Sequence, residues 1–273
     1  MKKSTRSLLF WLLGILTVIC LASVTYLLTS DSDEYSTRVF LQRKGAFVSV
    51  VWDGPAFLQE IHLKFPRFFF VDDVALCGNQ FNDHDVDLCK RFRRLDHLLV
   101  ASDNIELEWL AALHELQYLR DLSVRGGRVN GQLVAALKEL KHFRGLYVDH
   151  AVSEDDSFES LDSLPYLTEL SFRQMNLATA NLESLSRCFT IKNIDLSDSI
   201  MPPSFVSHLR SMRSLKRINV QGTNLSESDV QALKMALPLL QIEGEPSPHS
   251  ASSDTTNETG RTSQRGSNRD NAR

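Results

Sequence analysis

Starting at Val71 and stepping forward 24 residues at a time, the chain gives Leu95, Leu119, Phe143, Leu167, Ile191, Leu215 and Leu239. Every stop is apolar, and no insertion or deletion breaks the series. Three residues past each stop stand Val74, Leu98, Leu122, Leu146, Leu170, Ile194, Ile218 and Ile242. Five past lie Leu76, Val100, Val124, Val148, Phe172, Leu196 and Val220. Offsets of 10, 15, 18 and 21 continue the pattern, and across seven units these seven columns depart from apolar character only at Ser153. In a chain that is 42% hydrophobic overall, chance does not produce this. A fixed period of this length predicts a solenoid whose units bury their apolar faces against one another.

The pattern inside one unit identifies the solenoid. Its first half reads L-x-x-L-x-L and ends in alternation, which predicts a short strand. The second half spaces its apolar residues by five, three and three, which suits one face of a helix. The seventh unit shows both halves, running from Leu215 through Ile218, Val220, Asn224 and Leu225 to Val230, Leu233 and Ala236. Within it, Ser226 and Asp229 have the spacing of a helix N-cap and its reciprocal acidic partner. Asn82 and Asn130 occupy the same cap column in two other units.

One strand and one helix per unit resembles the leucine-rich repeat family. The seventh unit is similar to its bacterial variety, whose units run L-x-x-L-x-L-x-x-T. The resemblance spans 71–243, as seven full units and a partial eighth. It implies an α/β right-handed horseshoe with a parallel sheet on the concave face and helices on the convex face. In that family an Asn at offset 9 hydrogen-bonds the turning backbone of its own and the adjacent unit. Here the column reads Gln80, Asn104, Arg128, Val152, Asn176, Ile200 and Asn224. Irregular turns are therefore expected in units three, four and six, with Pro202 and Pro203 fixing the last.

Ahead of the repeats, residues 1–7 carry Lys2, Lys3 and Arg6 and no acid. Leu8 and Leu28 bound a run of 21 uncharged residues, long enough to span a bilayer core, which needs roughly 20. Basic residues precede this run and Asp31, Asp33 and Glu34 follow it. The expectation is a single-pass signal-anchor in the cytoplasmic membrane, with the N-terminus in the cytoplasm and the repeats outside. A cleaved signal peptide with Ala22 near the cut is the competing reading. Residues 29–70 read as a polar, flexible linker to Thr37, then a strand from Ala46 to Trp52 closed by Asp53-Gly54. A short helix is expected from Pro55 to Phe65, then the run Phe68-Phe69-Phe70. A solenoid end needs a cap, which is the role expected of this segment, although three adjacent Phe could also form a membrane or partner patch. Residues 244–273 contain no Leu, Ile, Val, Phe, Tyr or Trp and read as a disordered tail.

The net charge of −4 gives no overall basic character, so no nucleic-acid partner is expected. Cys89 and Cys188 fall in core columns, and a Cys77–Cys89 disulfide is conceivable outside the cytoplasm. No phosphate loop, nucleophile elbow or Cys-x-x-Cys motif is present. His114-Glu115 begins like a zinc-protease helix, but Tyr118 stands where the second His is required. Asn82-Asp83-His84-Asp85 with Asp87 could suggest a metal. It falls at a helix start, however, where acids suit the dipole, and Glu154-Asp155-Asp156 reads alike. The expectation is a non-enzyme without metal or cofactor.

What remains is surface. Offsets 2, 4 and 6 should line the concave sheet, with neighbouring strands about 4.8 Å apart. They place Tyr147 among Arg125, Asp149, Arg173, Glu169, Asp121 and His97. Arg125, Asp149 and Arg173 alternate in sign on successive rungs. This set is the candidate partner-binding patch, since Tyr and Arg anchor interfaces; a self-satisfied charge ladder is its plainer alternative. With the expected anchor, the resemblance implies a membrane-anchored protein that binds a protein partner through its concave face. The alternatives are a scaffold or inhibitor subunit regulating a hydrolase, a structural envelope component without a discrete ligand, and a ubiquitin-ligase adaptor, for which residues 31–70 lack the expected F-box.

Overall fold

The computed structural model describes residues 32–53, 69–103, 109–153 and 158–244. The apolar run at 8–28, the expected helix at 55–65, Phe68, Asn104, residues 154–156 and the tail from 245 lie outside them. Among the described residues no helix is long and apolar enough to cross a membrane.

The repeat period translates directly into strand register. Strands β2 (Phe69–Cys77), β3 (His97–Ala101), β4 (Asp121–Arg125), β6 (Gly145–Asp149), β8 (Glu169–Arg173), β9 (Asn193–Asp195), β10 (Arg217–Asn219) and β11 (Gln241–Glu243) form one parallel stack. Leu98 lies opposite Leu122, Leu122 opposite Leu146, and Leu146 opposite Leu170. The partial eighth unit thus supplies a strand of its own.

With alternate residues on opposite faces, each strand's offset-3 and offset-5 side chains point into the core. From Val74 and Leu76 through Ile218 and Val220 all of them are buried. The offset-15 and offset-18 columns pack on them from the other half-turn, Val86 and Cys89 through Val230 and Leu233, again all buried. Among the described residues of the seven full units two column members depart, and Leu239 of the partial unit is exposed. Ser153 is half-buried, and Ala236 is exposed while the adjacent Leu237 is buried in its place.

The linking segments are not uniformly helical. Helices α2 (Asp83–Leu88), α3 (Leu110–Leu113), α4 (Gly131–Leu137), α5 (Phe205–Leu209) and α6 (Glu227–Ala236), numbered after α1 below, serve five of the seven units. Among the described residues, units four and five have only 3-10 turns, Leu161–Ser163 and Glu183–Arg187. The expectation of a helix in every unit is corrected here, and the composition explains it: Ser, Asp and Asn compete for backbone partners. Ser186 Oγ donates to the Glu183 carbonyl at 2.7 Å, Ser184 Oγ to the Phe158 carbonyl at 2.9 Å, and Asn181 Oδ1 accepts from the Glu183 N–H at 3.1 Å. In units three and seven the cap column works. Ser226 Oγ accepts from Asp229 N–H at 3.2 Å and Asp229 Oδ2 from Ser226 N–H at 3.0 Å; Asn130 Oδ1 accepts from Gln132 N–H at 3.0 Å.

The N-terminal end is closed by α1 (Ser32–Arg43) and β1 (Phe47–Trp52), the latter antiparallel to β2. The flexible linker expected up to Thr37 is instead the first half of α1, with Thr37 and Leu41 buried against the first unit. Arg91 donates to Thr37 Oγ1 at 3.2 Å, Val71 N–H to Glu34 Oε1 at 3.1 Å, and Lys44 pairs with the buried Asp85. Phe69 and Phe70 are half-buried members of β2. Cys77 is an exposed free thiol and Cys89 a buried one.

The turns also differ from expectation. Units three and four, which lack the Asn, are joined by a second parallel ladder, β5 (Arg128–Val129) with β7 (Val152–Ser153). Ile200 in unit six bridges Asn176, with Leu177 N–H donating to its carbonyl at 2.8 Å. Backbone pairing replaces the side-chain amide there, although unit three still needs two successive positive-φ residues, Gly126 and Gly127. Asn224 keeps the amide mode: its Oδ1 accepts from Met201 N–H at 2.8 Å and its Nδ2 donates to Met201 O at 3.0 Å. Because Met201 is buried, Asn224→Ala should cost about 1–3 kcal/mol. Asn176 bonds only within its own turn, to Ala178 N–H at 3.2 Å, so Asn176→Ala should cost less; urea midpoints of the two variants check the order.

Candidate functional site

The outward positions of β4 through β11 enclose a groove of about 610 Å³. Of the seven side chains expected to form the site, Tyr147, Arg125, Asp149, Glu169 and Arg173 line it. Asp121 and His97 stand on its N-terminal side, paired with each other at 2.9 Å. The groove also takes in Asn193, Asp195, Arg217, Asn219 and Glu243. The first four share columns with the expected residues, so repeat arithmetic already carried the signal. Glu243 belongs to the strand of the partial unit.

Tyr147 owes its position to a missing side chain. A Cβ on Gly145 would lie 2.7 Å from Tyr147 Cε2, 2.9 Å from its hydroxyl and 2.1 Å from Asp121 Oδ1. Gly145 therefore leaves the slot in which the ring lies down along its own strand. The half-buried phenol is raised to about 12 by desolvation first, then by the Asp121 and Glu169 carboxylates. It stays neutral at physiological pH and keeps its proton as a donor. Asp121 is itself raised, by desolvation first, with His97 opposing that rise.

The alternating ladder expected of Arg125, Asp149 and Arg173 is only half present. Arg125 makes two bonds to Asp149 Oδ2, at 2.9 and 2.7 Å. Arg173 turns the other way, toward Asp195 Oδ2 at 3.7 Å. Asp149 Oδ1 is left buried with no hydrogen-bond partner among the described residues. Such an acceptor costs free energy until a donor reaches it. In the offset-2 column, Arg217 Nε donates to Asn193 Oδ1 at 2.9 Å and Asn193 Nδ2 to Glu169 Oε1 at 2.5 Å, linking three rungs. The groove is thus lined by a neutral phenol, a carboxylate with one buried, unpaired oxygen, three exposed arginines and a fixed amide. That set suits hydrogen bonding to a polypeptide. The cluster at 82–87 is accounted for by the fold: Asp85 accepts from Asn82 N–H at 2.9 Å besides pairing with Lys44, and Asp87 pairs with Lys90 at 2.8 Å.

No family model and no curated protein matches the sequence. Among solved structures, the chain is similar to a leucine-rich repeat protein of Leptospira interrogans, at 14% identity and a TM-score of 0.47 over 57% of this chain. It spans only 38% of that protein's length. Internalin C2 of Listeria monocytogenes is similar at 15% identity and a TM-score of 0.41, covering 63% of this chain and 80% of its own. Internalin F of the same organism gives 13%, 0.40, 60% and 51% in the same order.

Two measurements test the Tyr147 slot. The tyrosinate absorbance lost in Tyr147→Phe should titrate near pH 12 instead of near 10. Because the folded value lies above the unfolded one, the stability this phenol contributes is complete below pH 10 and is lost as pH rises toward 12. Gly145→Ala should expel the ring, at about 1–3 kcal/mol for an overpacked site, and return that titration toward 10.

Proposed function

We propose that this chain is a non-enzymatic, membrane-anchored protein whose sheet groove binds a segment of a protein partner. The observation that carries the reading is the groove itself, with its neutral Tyr147 donor and its unpaired Asp149 Oδ1 between Arg125 and Arg173. Buried polar atoms without partners are rare in folded chains; Asp149 lines the groove, and a turn of its carboxylate would bring the buried Oδ1 to a donor from outside. Phenol and guanidinium groups are the side chains most often found anchoring interfaces. The leucine-rich repeat architecture supports the same conclusion by fold-level analogy. The anchor rests on the 21-residue uncharged run bounded by Leu8 and Leu28 and on the charges flanking it. These would place the groove outside the cytoplasmic membrane.

Photocrosslinking in intact cells tests the groove. A photoreactive residue at Arg173 should yield a discrete protein adduct, and one at Lys138, exposed just past α4, should not. Reversing a groove charge, Arg125→Glu, should reduce the adduct at least tenfold. Equal labelling at 173 and 138, or an adduct indifferent to Arg125→Glu, would remove the groove from the interaction.

A further inference from the structure

The net charge of −4 conceals a separation. Each unit has two rims, one where a strand leads to a helix and one where the chain returns to the next strand. On the first rim stand Asp83, Asp87, Asp103, Asp198, Glu227 and Asp229. The return rim is basic and aromatic. At offset 1 the column opens with the acids Asp72 and Asp96 and then turns basic: Arg120, Arg144, Lys192 and Lys216 are exposed, with Thr168 between the two pairs. They are stacked on successive rungs: Arg144 N–H donates to Arg120 O at 2.7 Å and Lys216 N–H to Lys192 O at 2.7 Å. Beside them, at offset 23, run Tyr118, His142 and Tyr166, with the first two rings stacked at 6.0 Å. Tyr118 is 55% exposed, Tyr166 57%, and Phe189 on the same rim 74%.

This rim is expensive in isolation. Like charges on adjacent rungs repel. Asp96 offsets Arg120 at 3.2 Å, but Arg144, Lys192 and Lys216 have no ion-pair partner among the described residues. A helix dipole does not explain them, because they lie beyond the helix ends, at the starts of the strands. An anionic surface would relieve the repulsion, and exposed Tyr and Phe beside Lys and Arg match the composition of a bilayer interface.

The path of the chain brings a bilayer to this rim. Glu34, in the first turn of α1, accepts the Val71 N–H at 3.1 Å. Val71 occupies offset 0, between the aromatic and basic columns. Leu28 precedes Ser32 by four positions, which span at most about 14 Å. We infer that the return rim, through Arg144, Lys192, Lys216, Tyr118, Tyr166 and Phe189, lies on the anionic phospholipid headgroups of the membrane that holds the anchor. The inference rests on the proposed anchor for the nearness of the bilayer and on the rim alone for its chemistry. It would hold the strands edge-on to the membrane and leave the groove open to the side.

The full chain is reconstituted into vesicles of phosphatidylcholine alone or mixed with phosphatidylglycerol. A fluorescent amino acid is placed at 189 or, as a control, at Val152 on the opposite rim, and headgroup spin-labelled lipid serves as quencher. Quenching at 189 should exceed that at 152 several-fold in anionic vesicles only, and should fall as salt is raised. At about fivefold in surface affinity per Lys or Arg, the triple variant Arg144→Gln, Lys192→Gln, Lys216→Gln should weaken docking on the order of a hundredfold, bringing quenching at 189 down to that at 152. Equal quenching at the two positions, or quenching at 189 indifferent to lipid charge, overturns the rim. Flotation separates the anchor from the rim. Protein that floats only with anionic vesicles while still quenched at 189 removes the anchor and keeps the rim. Protein that floats with neither composition removes both.

Discussion

Everything in this molecule depends on the strict equality of its units. In a parallel ladder each rung takes its partner from the residue 24 positions on, and the side chains alternate faces with a period of two. One inserted residue would carry a whole strand's core set to the surface. The ladder also continues past the strands. Asp96 donates to Asp72 O, Arg144 to Arg120 O, Lys192 to Thr168 O and Lys216 to Lys192 O, each at 2.7 to 2.9 Å. The same register that stacks Leu on Leu therefore stacks Arg on Arg, and the surface columns are as fixed as the core.

Where the register turns toward the helices, the backbone imposes a demand the side chains do not advertise. The offset-7 residue has positive φ in units one and three through seven: Gly78, Gly126, His150, Gln174, Asp198 and Gly222. In five of these units its N–H donates to the carbonyl of the next unit's offset-6 residue, from Gly78 to Ala101 O at 2.8 Å through Asp198 to Gln221 O at 2.7 Å. That bond carries the ladder one rung past the strand and explains why three side-chain-bearing residues accept a left-handed conformation that costs of order 1 kcal/mol or more. Three glycines in the column hinted at the requirement; His, Gln and Asp concealed it.

The fold was legible because its cause is periodic. Core columns, strand offsets and the cap at Ser226 all follow from spacing. What spacing could not reveal was competition between local partners. Ser184 and Ser186 bond backbone carbonyls and hold unit five to a 3-10 turn, although its apolar spacing matches that of the helical units. Arg128 and Val152 offer no side-chain amide, and two strands of main chain pair there instead. The site divides along the same line. Column arithmetic put Tyr147, Arg125, Asp149, Glu169 and Arg173 on one face, but it could not tell which acid each arginine would choose. Asp195 sits one strand further on and two positions back, so Arg173 reaches it diagonally and leaves Asp149 Oδ1 unmet.

Gly145 shows how one absent side chain organises a surface built by repetition. Every other described unit places a polar or charged group at offset 2, and in-register neighbours there bond across rungs: His97 with Asp121, and Arg217 through Asn193 to Glu169. At Gly145 the chain of contacts stops, and Tyr147 reclines into the gap between Asp121 and Glu169. The column is thereby split into two closed networks with a neutral phenol between them. The charges on either side are engaged with their own rungs, while the phenol and the neighbouring Asp149 carboxylate keep bonding capacity. Solenoids present long, nearly uniform faces; here a glycine ends the uniformity at one rung, and the unspent polar atoms collect beside it.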